Sequence, residues 1–150
     1  MKSKTIATWL AFLLGIFGVH RFYLKGLGDR WGWLHVPFAL AGIVGLMRFQ
    51  NLGQNDVAAW VLMPIFGATL GVACLTAIIY ALTPKEKWNA THNPKAPSDA
   101  SPGQTHWGTF LGLALALLIG STSILSSFAL SFKAYFEAQV EAGRRISQDY

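Results

Sequence analysis

The sequence predicts an all-α fold, a polytopic membrane protein of about four transmembrane helices arranged as two helical pairs. Three observations carry that prediction: a very low content of charge, long apolar runs of membrane-spanning length, and tryptophans clustered at the ends of those runs. Apolar residues make up 53% of the 150 positions and charged residues 13%. A soluble domain carries about 25% charged residues, so this chain has too few to wet a globular surface. The formal charge of +5 is scattered between apolar blocks. A nucleic-acid surface gathers Lys and Arg on one face. The expected partners are therefore membrane lipids and not nucleic acid.

A spanning helix needs about 20 mostly apolar residues, because ~30 Å of hydrocarbon is crossed at 1.5 Å per residue. The first run extends from Thr5 to Leu24 if Arg21 and Tyr23 snorkel toward the headgroups. It follows Lys2 and Lys4 like the core of a signal peptide. It ends in His20-Arg21-Phe22-Tyr23 with no small-residue cleavage site, so a retained helix is expected. The second run covers 32–49, with Pro37 in its early turns. The third covers 57–82 and holds Pro64, a candidate kink. The fourth starts at Trp107 and reaches Phe132. Trp31, Trp33, Trp60 and Trp107 lie near run starts and Trp88 follows a run end, the placement of an interfacial aromatic belt. The expected organisation is a hairpin at 1–56, a third helix at 57–82, a flexible linker at 83–106, and a fourth helix with an amphipathic extension at 107–150. The linker assignment rests on Pro84, Pro94, Pro97 and Pro102 among polar residues.

Charge did not orient this four-helix arrangement. With both termini on one side, that side holds Lys2, Lys4, Arg48, Lys133, Arg144 and Arg145. The other holds Arg21, Lys25, Arg30, Lys85, Lys87 and Lys95, so the positive-inside rule ties. Small size and the uncleaved first helix point to a multi-pass protein of a bacterial plasma (inner) membrane.

The lysine-led first run, Gly15 and Gly18 within it, and the sequence Gly18-Val19-His20-Arg21-Phe22-Tyr23-Leu24 resemble the TM-two domain family, over about residues 2–48. Lys25 stands where the family has a glycine before Gly26. The second helix ends in Leu46-Met47-Arg48-Phe49, with Asp56 following later. The resemblance implies a membrane hairpin with a polar connection, and it does not imply an enzyme. Residues of that connection, His20, Arg21, Phe22, Tyr23, Asp29 and Arg30, are the candidate contacts to a lipid headgroup or a partner protein. Arg21 is the most informative, since a charge at the end of a membrane helix must snorkel or pair, and Asp29 is in reach.

A second signal is small residues at helical spacing. Gly108, Gly112, Ala116 and Gly120 repeat every four residues, Gly67 and Gly71 form GxxxG, and Gly15 continues Ala7 and Ala11. Small residues let helix backbones approach in lipid, within a chain or between chains. Catalytic signatures are missing: there is no nucleophile elbow, phosphate loop or His-Glu-x-x-His, and no acidic residue inside a run. His20 and His35 flank one connection, but two histidines make a poor metal site, so neither metal nor cofactor is expected. Cys74, the single cysteine, reads as a small packed residue. The expectation is a non-enzymatic membrane interaction or accessory protein, with a membrane protein partner or self-association. The alternative is a small oligomeric channel or transporter lined by Thr122, Ser123 and Ser127.

Overall fold

The computed structural model describes residues 1–53, 56–97 and 101–148. Residues 54–55 of the expected hairpin, 98–100 of the expected linker and 149–150 of the tail lie outside the described residues. Every regular element among the described residues is helical: α1 (Lys4–Leu14), a 3-10 turn (Gly15–Phe17), α2 (Val19–Lys25), α3 (Arg30–Leu52), α4 (Val57–Leu82), α5 (Lys85–His92), a second 3-10 turn (Ser101–Gly103) and α6 (Trp107–Gln148). Three of these helices, α3, α4 and α6, are long and apolar enough to cross a membrane.

The first apolar run does not form the single helix expected over 5–24. α1 has 11 residues, about 16 Å at 1.5 Å per residue. It ends in the Gly15–Phe17 turn, and Gly18 takes a left-handed conformation (φ 74°) that costs a residue with a Cβ. Gly18 also lies against α3, where a Cβ would sit 2.4 Å from the Gly32 carbonyl oxygen. The chain reverses there, and α2 returns toward the start of α1. Lys2 Nζ donates to the Tyr23 carbonyl at 2.5 Å, and the Ser3 amide donates to Tyr23 Oη at 2.9 Å. The segment is therefore a short helical hairpin. Hydropathy alone cannot distinguish this from one helix, because both bury the same residues.

α4 is the central element. Its inward face is small: Ala59, Gly67, Gly71, Ala73, Cys74, Ala77 and Ala81 are buried. α1 runs antiparallel to its C-terminal half. Ala11 packs with Cys74, Ala77 and Ala116, and a Cβ on Gly15 would meet Ala73 Cβ at 2.8 Å. The deepest part of α1 thus lies about ten residues, or some 15 Å, below the end of α4. α3 crosses the other flank, with Gly42 against Phe66 and Gly45 against Leu62. The small ridge of α6 faces its own chain: Gly108 and Gly112 meet Thr5, Thr8 and Trp9, Gly120 meets Cys74, and Ser127 and Ile124 fill the notches at Gly67 and Gly71. Trp9 Nε1 donates to the Gly108 carbonyl at 2.9 Å.

The expected linker is partly built. α5 occupies Lys85–His92, and Trp88 is only 1% exposed. It is a buried plug rather than a member of an interfacial belt, whereas Trp31, Trp33 and Trp107 are exposed. Beyond Ser131, which lines the end of the α4–α6 contact beside Pro64, α6 continues as an almost wholly exposed helix with Lys133–Glu137 and Glu141–Arg145 pairs along it.

A side chain at Gly67 has no room, since a Cβ there would lie 1.6 Å from Ser127 Oγ. Gly67→Val is expected to destabilise the bundle by about 1–3 kcal/mol, the range for overpacking. Gly143→Ala, with nothing within 4 Å, is expected to leave stability unchanged or to raise it by up to about 1 kcal/mol, since Ala is the better helix former. Thermal unfolding in mild detergent measures both.

Candidate functional site

The connection from α2 to α3 gathers the residues that the sequence singles out, and it does so through local backbone rules. Gly26 ends α2 at φ 86°, with its amide donating to the Phe22 carbonyl at 2.8 Å. Asp29 follows as the N-cap of α3. Arg21 then reaches across the turn. Its Nε donates to Asp29 Oδ2 at 2.5 Å and its Nη2 to Oδ1 at 3.3 Å. This is a two-pronged fork whose planar geometry suits Arg and not Lys. The fork holds the Asp29 carboxyl below the usual carboxylate range, chiefly through the hydrogen bond from Arg21.

The other candidates divide into internal and exposed groups. Phe22 packs on the Trp33 ring (5.2 Å between centroids) and against Gly32. Tyr23 is the anchor for the N-terminus through Lys2 and Ser3, and the Lys2 ammonium also lies 4.9 Å from its ring centre. His20 is 2% exposed, wedged between the rings of His35 (5.6 Å) and Tyr80 (5.9 Å). Its Nδ1 has no hydrogen-bond partner among the described residues. Arg30 is exposed and is not part of the Arg21 fork. The exposed surface of the turn is Lys25, Leu27, Gly28, Arg30 and Trp31, with Trp33 Nε1 donating to the Leu27 carbonyl at 2.8 Å.

Several residues escaped the sequence reading. Asn93 clamps Lys2 by its amide side chain: Oδ1 accepts from the Lys2 amide at 2.5 Å and Nδ2 donates to the Lys2 carbonyl at 3.0 Å. Trp88 Nε1 donates to the same carbonyl at 2.9 Å. Lys4 is 1% exposed, yet its ammonium donates to the Thr83 carbonyl at 2.9 Å and to Thr105 Oγ1 at 2.5 Å. The Thr83 acceptor lies at the end of α4, where the last carbonyls of a helix lack intrahelical donors and carry partial negative charge. At the far end of α3, Arg48 makes a second fork, Nε to Asp56 Oδ2 at 2.7 Å and Nη2 to Oδ1 at 2.9 Å. It likewise holds the Asp56 carboxyl low. The only sequence clue to α5 was one tryptophan in a polar stretch. Lys4 was legible only as a basic residue leading the first run, and Asn93 carried no clue at all.

Of the packing candidates, Gly15, Gly67, Gly71, Gly108, Gly112, Ala116 and Gly120 all serve contacts within the chain. Ser123 Oγ donates to the Gly67 carbonyl at 3.3 Å and Ser127 Oγ to the Ser123 carbonyl at 2.9 Å, so both belong to the α4–α6 contact. No group of three or more potential metal ligands occurs among the described residues.

Both depressed carboxyls fix the sign of a pH effect. Their ionised forms contribute stability that is fully present above the unfolded value of about 3.9 and is lost as pH falls through the lowered folded value. Arg21→Ala is expected to shrink this acid dependence, and Arg21→Ala with Arg48→Ala to shrink it further. Arg21→Lys should restore only part of it. Unfolding temperature against pH between 2 and 6 reads this out. Trp88→Ala is expected to cost about 3–5 kcal/mol as a large core truncation and to speed hydrogen exchange at Ser3, whose neighbour Lys2 it clamps.

Comparison with known proteins follows the same segment. The model of the TM2 domain matches residues 1–50. The uncharacterized membrane protein YozV of Bacillus subtilis (strain 168) is 40% identical over 48 residues, which is 32% of this chain and 58% of that relative. The match thus spans less than two thirds of the relative. No solved structure matches the chain.

Proposed function

We propose that this chain, which carries a TM2 domain at residues 1–50, is a non-catalytic integral membrane interaction or accessory protein. The observation that carries this reading is the division of labour in the α2–α3 turn. Its motif residues Arg21, Phe22 and Tyr23 are engaged with Asp29, Trp33 and the N-terminus, which makes them builders of a platform. The residues displayed on that platform, Lys25, Leu27, Arg30 and Trp31, pair cations with exposed apolar groups. That combination suits the headgroup boundary and a protein docked beside it. The exposed end of α6 is a second surface of the same kind.

In this reading the chain is a multi-pass protein of the plasma membrane with three spans, α3, α4 and α6. The α1–α2 hairpin dips to about half depth and returns without crossing. Non-helical backbone at that depth is tolerated where protein buries it, and Gly15 and Gly18 are packed on Ala73 and Gly32. The channel reading keeps a weaker footing. Ser123 and Ser127 are held in a helix contact, so a polar path would have to form between copies of the chain.

A photo-crosslinking residue at Leu27, 71% exposed, tests the proposal in native membranes. A discrete protein adduct, lost when Lys25 and Arg30 are both changed to Glu, is the expected result. Adducts to lipid alone would sink the accessory role, and a homodimer together with ion flux in liposomes would favour the channel.

A further inference from the structure

The two Arg–Asp forks are not an isolated coincidence. Residues 15–37 and 42–64 both read Gly-Ile-x-Gly-x2-Arg-Phe-x3-Gly-x2-Asp-x3-Trp-x3-Pro, with nine identities in 23 positions at a constant offset of 27. A fixed offset of this size is the sequence mark of a repeated supersecondary unit. The second copy reaches 14 residues past the segment matched by the TM2 domain.

The geometry repeats with the letters. In each copy, Arg forks onto an Asp eight residues later, and that Asp is the N-cap of the next helix. In each, the helix ends on a glycine of positive φ, 86° at Gly26 and 76° at Gly53. The amide of that glycine donates to the carbonyl of the motif Phe. The Phe ring packs on the motif Trp, 5.2 Å for Phe22–Trp33 and 5.7 Å for Phe49–Trp60. The Pro then falls at the eighth position of α3 and of α4. The copies share α3: one turn is at its start and the other at its end. With 23 residues, or about 34 Å, between them, the two turns sit at opposite membrane surfaces and point in opposite senses.

We infer that the chain contains two inverted copies of one turn module, one at each membrane surface, and that the first copy faces the cytoplasm. The inference rests on the three-span reading proposed above. The orientation follows from the cations. Hydrogen bonds from Lys2 and Ser3 to Tyr23, and from Asn93 to Lys2, place the N-terminus on the side of the first turn and of α5. Lys2 and Lys4 therefore join Arg21, Lys25, Arg30 and the basic residues after α4, and a tie of six against six becomes eight against four of the 12 Lys and Arg. Cytoplasmic segments carry that excess. The copies agree: where the first has the cations Lys25 and Arg30, the second has Leu52 and Val57. The shared positions build the turn, and the differing ones fit it to its own leaflet, anionic on the cytoplasmic side.

Cysteine labelling tests this in intact cells with a membrane-impermeant maleimide. Cys74 is buried, so the parent protein gives the background. Four variants carry one added cysteine each: an N-terminal extension, Gly28→Cys, Val57→Cys and Gly143→Cys. Nothing lies within 4 Å of a Cβ at either glycine, and Val57 is 76% exposed. The expected result is labelling of Val57→Cys and Gly143→Cys at once, and of the N-terminal and Gly28→Cys probes only after permeabilisation. The mirror pattern overturns the orientation. Gly28→Cys and Val57→Cys on one side overturns the inversion. An N-terminal probe on the side opposite Gly28→Cys shows a fourth crossing. That result sinks the three-span reading, and with it the cation count on which the orientation depends.

Discussion

Close approach of backbones to α4 is the constraint on which the rest of this structure depends. In hydrocarbon there is little hydrophobic drive to pair helices, so contact must come from packing. α4 meets that demand with a face of Gly, Ala and Cys, and each neighbour answers with its own small residues or with a side chain that fits the notch. Gly42 and Gly45 bring α3 in, the Gly112–Ala116–Gly120 ridge brings α6 in, and Ala11 and Gly15 bring α1 in. The depth of the first hairpin follows from this. Gly15 stops on Ala73, and Gly18 turns the chain where only a glycine fits beside the Gly32 carbonyl.

The polar groups then act as ties at the surfaces where those helices end. A neutral interhelical hydrogen bond contributes modestly, on the order of 0.5–1.5 kcal/mol. The neutral ties are therefore better understood as fixing geometry than as the source of stability, while the two charged forks add a larger, pH-dependent share. Each fork sets the angle between two consecutive helices. The Asn93 and Trp88 clamps hold the N-terminus at the start of the first hairpin, and Lys4 answers the carbonyls left open by the end of α4.

How much of this the sequence disclosed depends on the kind of signal. Long spans are legible from hydropathy, and the third was read at 57–82, the bounds of α4. The small-residue ridges were legible as packing surfaces, but their partners were not, because spacing says that a face is small and not what it touches. The break in the first run was not legible. Glycine is common in membrane helices, and Gly15 and Gly18 break this one only because Ala73 and Gly32 receive them. The Arg21–Asp29 pair was readable from its proximity in one short connection. Its counterpart Arg48–Asp56 has the same spacing, but Arg48 ends an apolar run and Asp56 follows it only later, so proximity did not point to the pair.

The repeat also bears on how the candidate residues are weighed. A residue kept in both copies works at both membrane surfaces, so its role is to make the turn. Arg21 is such a residue, and its partner Asp29 and stacking neighbours Phe22 and Trp33 are others. Under the interaction role proposed above, specificity for a lipid or a partner lies at positions where the copies differ. His20, Tyr23, Lys25, Arg30 and Trp31 face Met47, Gln50, Leu52, Val57 and Ala58 in the second copy. Of the five, His20 is buried and Tyr23 holds the N-terminus. Lys25, Arg30 and Trp31 remain, all exposed, so what this turn displays to its surroundings comes from residues beside the motif rather than within it.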